Sequence, residues 1–175
     1  MSKESRPKDA IRQLRNALGQ FTTGVAIVTA PGDDAGPVGM TINSFASVSL
    51  EPALVSWCID RRAASYETFV NARHFGITVL AENQAELAMR FAARGADKFR
   101  DIETGGNTAP VVAGGCACFE CEIFRSIPLG DHTMIIGEIR EFAYYPVAPL
   151  VFSGGSFGQL QPETGGTGRE TARAA

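Results

Sequence analysis

Gly39-Met40-Thr41-Ile42-Asn43-Ser44-Phe45-Ala46-Ser47-Val48-Ser49-Leu50-Glu51-Pro52-Ala53-Leu54-Val55-Ser56-Trp57-Cys58-Ile59 suits strand over most of its length, yet polar residues fall where a buried sheet would be apolar. Thr41, Asn43, Ser44, Ser47 and Ser49 are small and uncharged, and each can donate or accept a hydrogen bond. A sheet lined in this way can hold a polar planar ligand. The same residues also suit a strand face open to water, and pattern alone leaves both readings standing.

Upstream of this stretch, Ile11, Leu14 and Leu18 repeat at helical spacing before Gly19, which predicts an amphipathic helix over 8–18. Gly24 to Ala30 follows as a strand. Pro31 to Pro37 is dense in turn formers and leads into a strand from Val38 to Ser44, the pattern of a hairpin. Downstream, Pro52 marks a turn before a strand from Leu54 to Ile59, and Ser65 reads as the N-cap of a short helix. Phe75 to Leu80 is the next strand, and Glu82 to Ala93 a helix closed by Gly95. Further strands are expected at Ala117 to Arg125, Thr133 to Tyr144 and Leu150 to Phe152. Many strands, few helices and hairpin signals in place of strand-helix alternation predict a mainly β fold with peripheral α-helices, a barrel over a doubly wound sheet.

The length of 175 residues fits one domain, expected over 1–160, and 45% hydrophobic content with 20% charge is ordinary for a globular protein. Residues 161–175 carry no large apolar side chain and are expected to form a disordered tail. A net charge of -3 with scattered basic residues argues against nucleic acid as a partner. No apolar run approaches the roughly 20 residues that span a bilayer, and the polar N-terminus lacks a signal peptide's apolar stretch, so no membrane association and a cytoplasmic location are expected. Of the four cysteines, Cys116, Cys118 and Cys121 cluster on one expected strand. They lack the second pair or nearby histidine of a zinc site, so reduced thiols and no metal are expected.

Several motifs recur in one order: Thr23-Gly24-Val25, the Gly39 to Ser49 run, Leu50-Glu51-Pro52, Ser65 to Phe69, Phe91 to Phe99, and Gly130-Asp131-His132. In these, over roughly residues 10 to 160, the chain resembles the short-chain flavin reductase family. The resemblance implies a flavin reductase-like split β-barrel and an NAD(P)H:flavin oxidoreductase, with FMN or FAD bound and NADH or NADPH as hydride donor. It also implies a homodimer, and a partner monooxygenase that receives the reduced flavin. A flavin carrier or sensor on the same barrel, without turnover, is the alternative.

The flavin's pyrimidine edge suits Asn43 and Ser47, which can donate to its carbonyls without adding charge. For the phosphate, neither a P-loop nor a Gly-x-Gly-x-x-Gly fingerprint is present. Arg61, Arg62, Ser65 and Lys98 are the anion partners available, although Arg61 and Arg62 also suit a solvated turn. The resemblance extends the flavin contacts to Met40, Thr41, Ser44, Cys58, Asp60 and Phe91. It places His132 near the flavin's reactive face, where it would position the nicotinamide; the alternative is a structural histidine that Asp131 holds in one tautomer. Phe157, after Gly154-Gly155-Ser156, either covers the ligand from a flexible arm or packs the C-terminus.

Overall fold

The computed structural model describes residues 7–33, 36–95 and 97–161. Helix α1 (Pro7–Leu18) leads to β1 (Thr23–Gly24), β2 (Ala26–Ala30), β3 (Val38–Ile42), β4 (Ala46–Leu50) and β5 (Ala53–Asp60). Helix α2 (Tyr66–Asn71), β6 (His74–Val79) and helix α3 (Ala85–Ala92) follow. Short strands β7 (Thr104–Gly105) and β8 (Val111–Val112) precede the long β9 (Ala117–Leu129) and β10 (His132–Tyr144), and β11 (Val151–Ser153) and β12 (Ser156–Gly158) complete the order. The expected tail at 161–175 lies, beyond residue 161, outside the described residues.

The main sheet has seven strands in the order β3-β2-β6-β9-β10-β5-β4. Its pairings are antiparallel throughout. β3 and β4 therefore sit at opposite edges, although only Asn43, Ser44 and Phe45 join them. Six inter-strand gaps of about 4.8 Å would put the edges of a flat sheet about 29 Å apart. The four Cα steps from Ile42 to Ala46 reach at most about 15 Å. The sheet must curl until its edges meet, which gives a barrel split between β3 and the β5–β4 side of the sheet. Ser44 bridges the split: its Oγ accepts the Cys58 N–H at 3.0 Å on β5. The strand expected to run to Ser44 thus stops at Ile42, because the next residues leave the ladder to cross the gap.

Inside the barrel Trp57, Phe69 and Phe75 are fully buried, and Trp57 meets the two rings edge-on at 5.0 and 5.9 Å. A second cluster under α3 joins Val25, Ile27, Leu80, Phe91 and Leu150. The β2–β3 hairpin formed as expected, with Ala26 opposite Ile42. β9 runs past the expected Arg125 to Leu129. Beyond Ile123 it pairs only with β10, so half of its backbone donors face no ladder and Pro128 is tolerated. Gly130 then supplies the left-handed φ of +59° for the two-residue turn into β10.

The segment from 104 to 112 carries strands that the sequence pattern does not reveal. Buried threonines in the barrel wall hold it. Thr78 Oγ1 accepts the Val112 N–H at 2.9 Å, and Thr29 Oγ1 donates to the Pro110 carbonyl. Among the described residues no helix is long and apolar enough to cross a membrane.

Candidate active site

A cavity of about 900 Å³ opens between β3, the β5–α2 connection and the segment that follows α3. Seven of the residues expected at the site line it: Met40, Thr41, Asp60, Arg62, Ser65, Phe91 and Lys98. Gly39 is required by the close approach of α3, since a Cβ there would lie 2.6 Å from Cε1 of Phe91. Phe91 in turn packs edge-on against Phe99 at 5.0 Å, so the apolar wall is rigidly built.

Several polar groups on this wall are engaged by the protein itself. Thr41 Oγ1 donates to the Ala88 carbonyl at 2.6 Å and ties β3 to α3. Lys98 Nζ donates to Phe91 O at 2.8 Å and to Gly39 O at 3.1 Å, and burial lowers its pKa. Its expected task as an anion partner is therefore joined by a structural one, that of clasping the end of α3 to β3. Asp60 receives a two-pronged contact from Arg62, with Nη2 at 2.8 Å and Nε at 3.1 Å, and also accepts the Arg62 N–H. These hydrogen bonds hold the Asp60 carboxyl well below the usual range. Arg62 lines the cavity, whereas Arg61 does not; the Arg61 N–H donates to Asp131 O at 3.0 Å and fixes the turn.

Ser65 departs from its expected capping role. Its φ and ψ of -92° and 10° are not those of an N-cap, its side chain makes no capping bond, and its hydroxyl stays available on the cavity wall. Thr68, one turn on, and Arg94, after α3, also line the cavity and escaped the sequence reading. The helical spacing of Ser65 and Thr68 was the available signal for the former.

The remaining expected residues lie outside the cavity lining. Asn43 and Ser47 are exposed at the crossover and on β4, without a side-chain hydrogen bond among the described residues. Ser44 and Cys58 meet across the split through Ser44 Oγ, and burial raises the Cys58 thiol pKa. Phe157 packs against Phe152 at 5.6 Å on the β11–β12 hairpin.

His132 is the first residue of β10 and pairs with Asp60 across the β5–β10 ladder, so it stands at the strand end that borders the cavity. Its Nδ1 lies 2.7 Å from Asp131 Oδ1, and the side chain is 43% exposed. The hydrogen bond to His132 lowers the Asp131 pKa and fixes the imidazole in one orientation. Among the described residues no group of three His, Cys, Asp or Glu side chains is placed to hold a metal. The four thiols are free, and burial with the Glu120 charge pushes that of Cys121 up to about 12.

Comparison with known proteins agrees with this architecture. The NADH-dependent FMN reductase SmoA of Agrobacterium fabrum is 46% identical over 150 residues, 85% of this chain and 86% of that protein. The flavin-dependent monooxygenase reductase subunit HsaB of Mycobacterium tuberculosis is 32% identical over 157 residues, 87% of this chain and 83% of its own. The NADH:FAD oxidoreductase SgcE6 of Streptomyces globisporus, solved with NAD and FAD fragments, has a TM-score of 0.84 at 37% identity, covering 94% of this chain and 100% of that one. The flavin reductase like domain matches residues 18–161, and this chain belongs to that family.

Proposed function

We propose that the protein is an NAD(P)H:flavin oxidoreductase that reduces FMN or FAD and hands the reduced flavin to a monooxygenase. The observation that carries this reading is the pairing of His132 with Asp60, which sets an oriented imidazole at the border of a cavity of about 900 Å³. The residues present fit a flavin. The cavity joins an apolar wall at Met40 and Phe91 to hydroxyls at Ser65 and Thr68 that have no hydrogen bond among the described residues. Asn43 and Ser47, exposed beside the split, are available to its pyrimidine edge.

A bound flavin would supply the hydride acceptor for a nicotinamide, so the protein has to hold two rings in contact more than supply an acid or base. Met40 and Phe91 give an apolar face that keeps water from one side. Asp60 and Arg62 brace the turn opposite His132, and Asp131 orients the His132 imidazole, which would place the nicotinamide. Steady-state oxidation of NADH and NADPH with added FMN or FAD tests the reading, and flavin-dependent turnover is the expected result.

Asn43→Ala with Ser47→Ala is expected to weaken flavin binding roughly tenfold or more with the fold retained, as two donors to polar ligand atoms are lost. An unchanged flavin titration would return both residues to the role of a solvated surface.

The protein acts as a homodimer in this reading. Val48 and Leu50 on β4 and Phe142 and Tyr144 on β10 are exposed in one chain, Leu50 to 94%, and a second copy related by a two-fold axis would cover them. Sedimentation at micromolar concentration is expected to give a dimer; a flavin-binding monomer would contradict it. The likeness to a monooxygenase reductase subunit supports the oxygenase partner, and the four free thiols suit a cytoplasmic setting.

A further inference from the structure

Two elements far apart in the chain carry the candidate site. The start of α2, with Ser65 before it and Thr68 within it, builds one wall of the cavity, and β10 carries His132 at its first position. How these halves stand to each other depends on the 61–65 connection that leaves β5. Backbone bonds hold the near end of that connection: the Arg61 N–H donates to Asp131 O at 3.0 Å, and the Ala63 N–H to Asp60 O at 2.9 Å. At the far end, where α2 begins, a side-chain bond ties it to β10. The hydroxyls of Tyr66 and Thr133 lie 2.9 Å apart, and either can donate.

Thr133 follows His132 directly, so its side chain takes the opposite face of β10. It is 2% exposed, beside Ile59 across the ladder, in a wall where Trp57, Ile59 and Ile135 are fully buried. A hydroxyl is costly in such surroundings unless it is hydrogen-bonded, and valine would suit the same strand position without that need. Tyr66 packs its ring against the same core, where phenylalanine would serve as well. Packing thus accounts for the ring and for the β-branched side chain, but not for the two hydroxyls. What they add is direction, because a hydrogen bond fixes distance and angle and apolar contact does not. The bond joins the residue next to Ser65 to the residue next to His132.

We propose that Tyr66 is a positioning residue for hydride transfer: through Thr133 it sets the spacing between the α2 wall of the cavity and His132. The inference rests on the flavin reductase reading and adds to it a residue that neither lines the cavity nor moves a proton. Each half keeps its own bonds without the pair. The Phe69 N–H still donates to Ser65 O at 3.1 Å, and Asp131 still holds His132 Nδ1 at 2.7 Å. Loss of the pair therefore changes how the flavin wall and the imidazole stand to each other, and leaves the local structure of each intact.

Tyr66→Phe, Thr133→Val and the double variant are compared with the wild-type protein. Tyr66→Phe is expected to slow flavin reduction by NADH on the order of tenfold at saturating concentrations, with flavin affinity close to that of the wild type. Each single variant leaves one hydroxyl without its partner and is expected to lose stability to urea, whereas the double variant removes both and recovers it. Turnover is expected to stay low in the double variant, since the tether is absent there too. A second readout needs no ligand. In the double variant the Arg61 amide is expected to exchange with solvent on the order of tenfold faster, with the Ile135 amide in the core unchanged. A double variant that regains turnover together with stability would make the pair structural and overturn the proposal. Undiminished flavin reduction in Tyr66→Phe, loss of flavin affinity in proportion to rate, or unaltered Arg61 exchange would each overturn it as well. Wild-type protein that binds no flavin and oxidises no NADH would instead sink the reductase reading, and this inference with it.

Discussion

His132→Ala is expected to lower NADH oxidation on the order of a hundredfold while leaving flavin affinity nearly intact. The size follows from geometry: displacing a reacting ring by about 1 Å can cost that much in rate. Three features fix the imidazole where it stands. The two-residue turn at Gly130 and Asp131 puts it at the start of β10, the ladder sets it opposite Asp60, and Asp131 Oδ1 holds Nδ1 at 2.7 Å. None of these contacts belongs to the buried core, so the barrel is expected to survive the change. Steady-state kinetics beside a flavin titration separates the outcomes. Loss of flavin binding or of folding would make His132 structural, and unaltered turnover would mean that other groups place the nicotinamide.

Glu120→Gln is expected to destabilise the fold by about 3 kcal/mol, because it leaves backbone donors of a buried loop unsatisfied. Glu120 is 7% exposed, and its carboxylate accepts the N–H groups of Asn107, Thr108 and Ala109 together with the Thr108 hydroxyl, at 2.6 to 3.2 Å. Burial opposes ionisation of this group, but the four donors outweigh it and bring the pKa below the usual glutamate value. A carboxylate with a depressed folded pKa stabilises the native state above its unfolded pKa, near 4.3, and loses that contribution as pH falls through the folded value. Urea unfolding should therefore show the wild-type protein losing stability below about pH 4 more steeply than the variant. Equal stability of the two at pH 7 would mean that the 106–110 loop is held without the Glu120 charge, by contacts such as those of Thr29 with Pro110 and Asn107 with Glu141.

Most of the barrel was legible because strands leave local signals. Turn formers at 31–37, Pro52 and the Gly130 turn each mark a strand end, and α1, β2, β5, β6 and β10 lie close to where alternation and turns put them. The closure was not legible. A crossover of Asn43, Ser44 and Phe45 between opposite sheet edges has the same composition as a continuing strand, and only the pairing of each neighbour distinguishes the two. β7 and β8 were hidden for a related reason. β7 pairs with β8, and β8 and the preceding Pro110 are held by buried Thr78 and Thr29, which stand elsewhere in the chain; a threonine in an apolar strand is unremarkable as sequence.

At the site, residue types were easier to read than their partners. Asp60, Ser65, Phe91 and Lys98 do share one cavity. The sequence could not say that Lys98 faces two carbonyls, that Arg62 in place of Arg61 turns to the cavity, or that Ser65 leaves its hydroxyl unused. Each of these depends on which way one residue of a turn points, and a shift of one residue exchanges wall for solvent. Arg94 was passed over because an arginine after a helix is usually a solvated one.

The central claim is that this barrel brings a nicotinamide and a flavin together for hydride transfer. Anaerobic rapid mixing of the FMN-loaded or FAD-loaded protein with NADH tests it most directly. The expected result is bleaching of the flavin in step with the loss of one NADH for each flavin. Protein that binds flavin yet leaves it oxidised with NADH and with NADPH would contradict the account and identify a carrier or sensor built on the same fold.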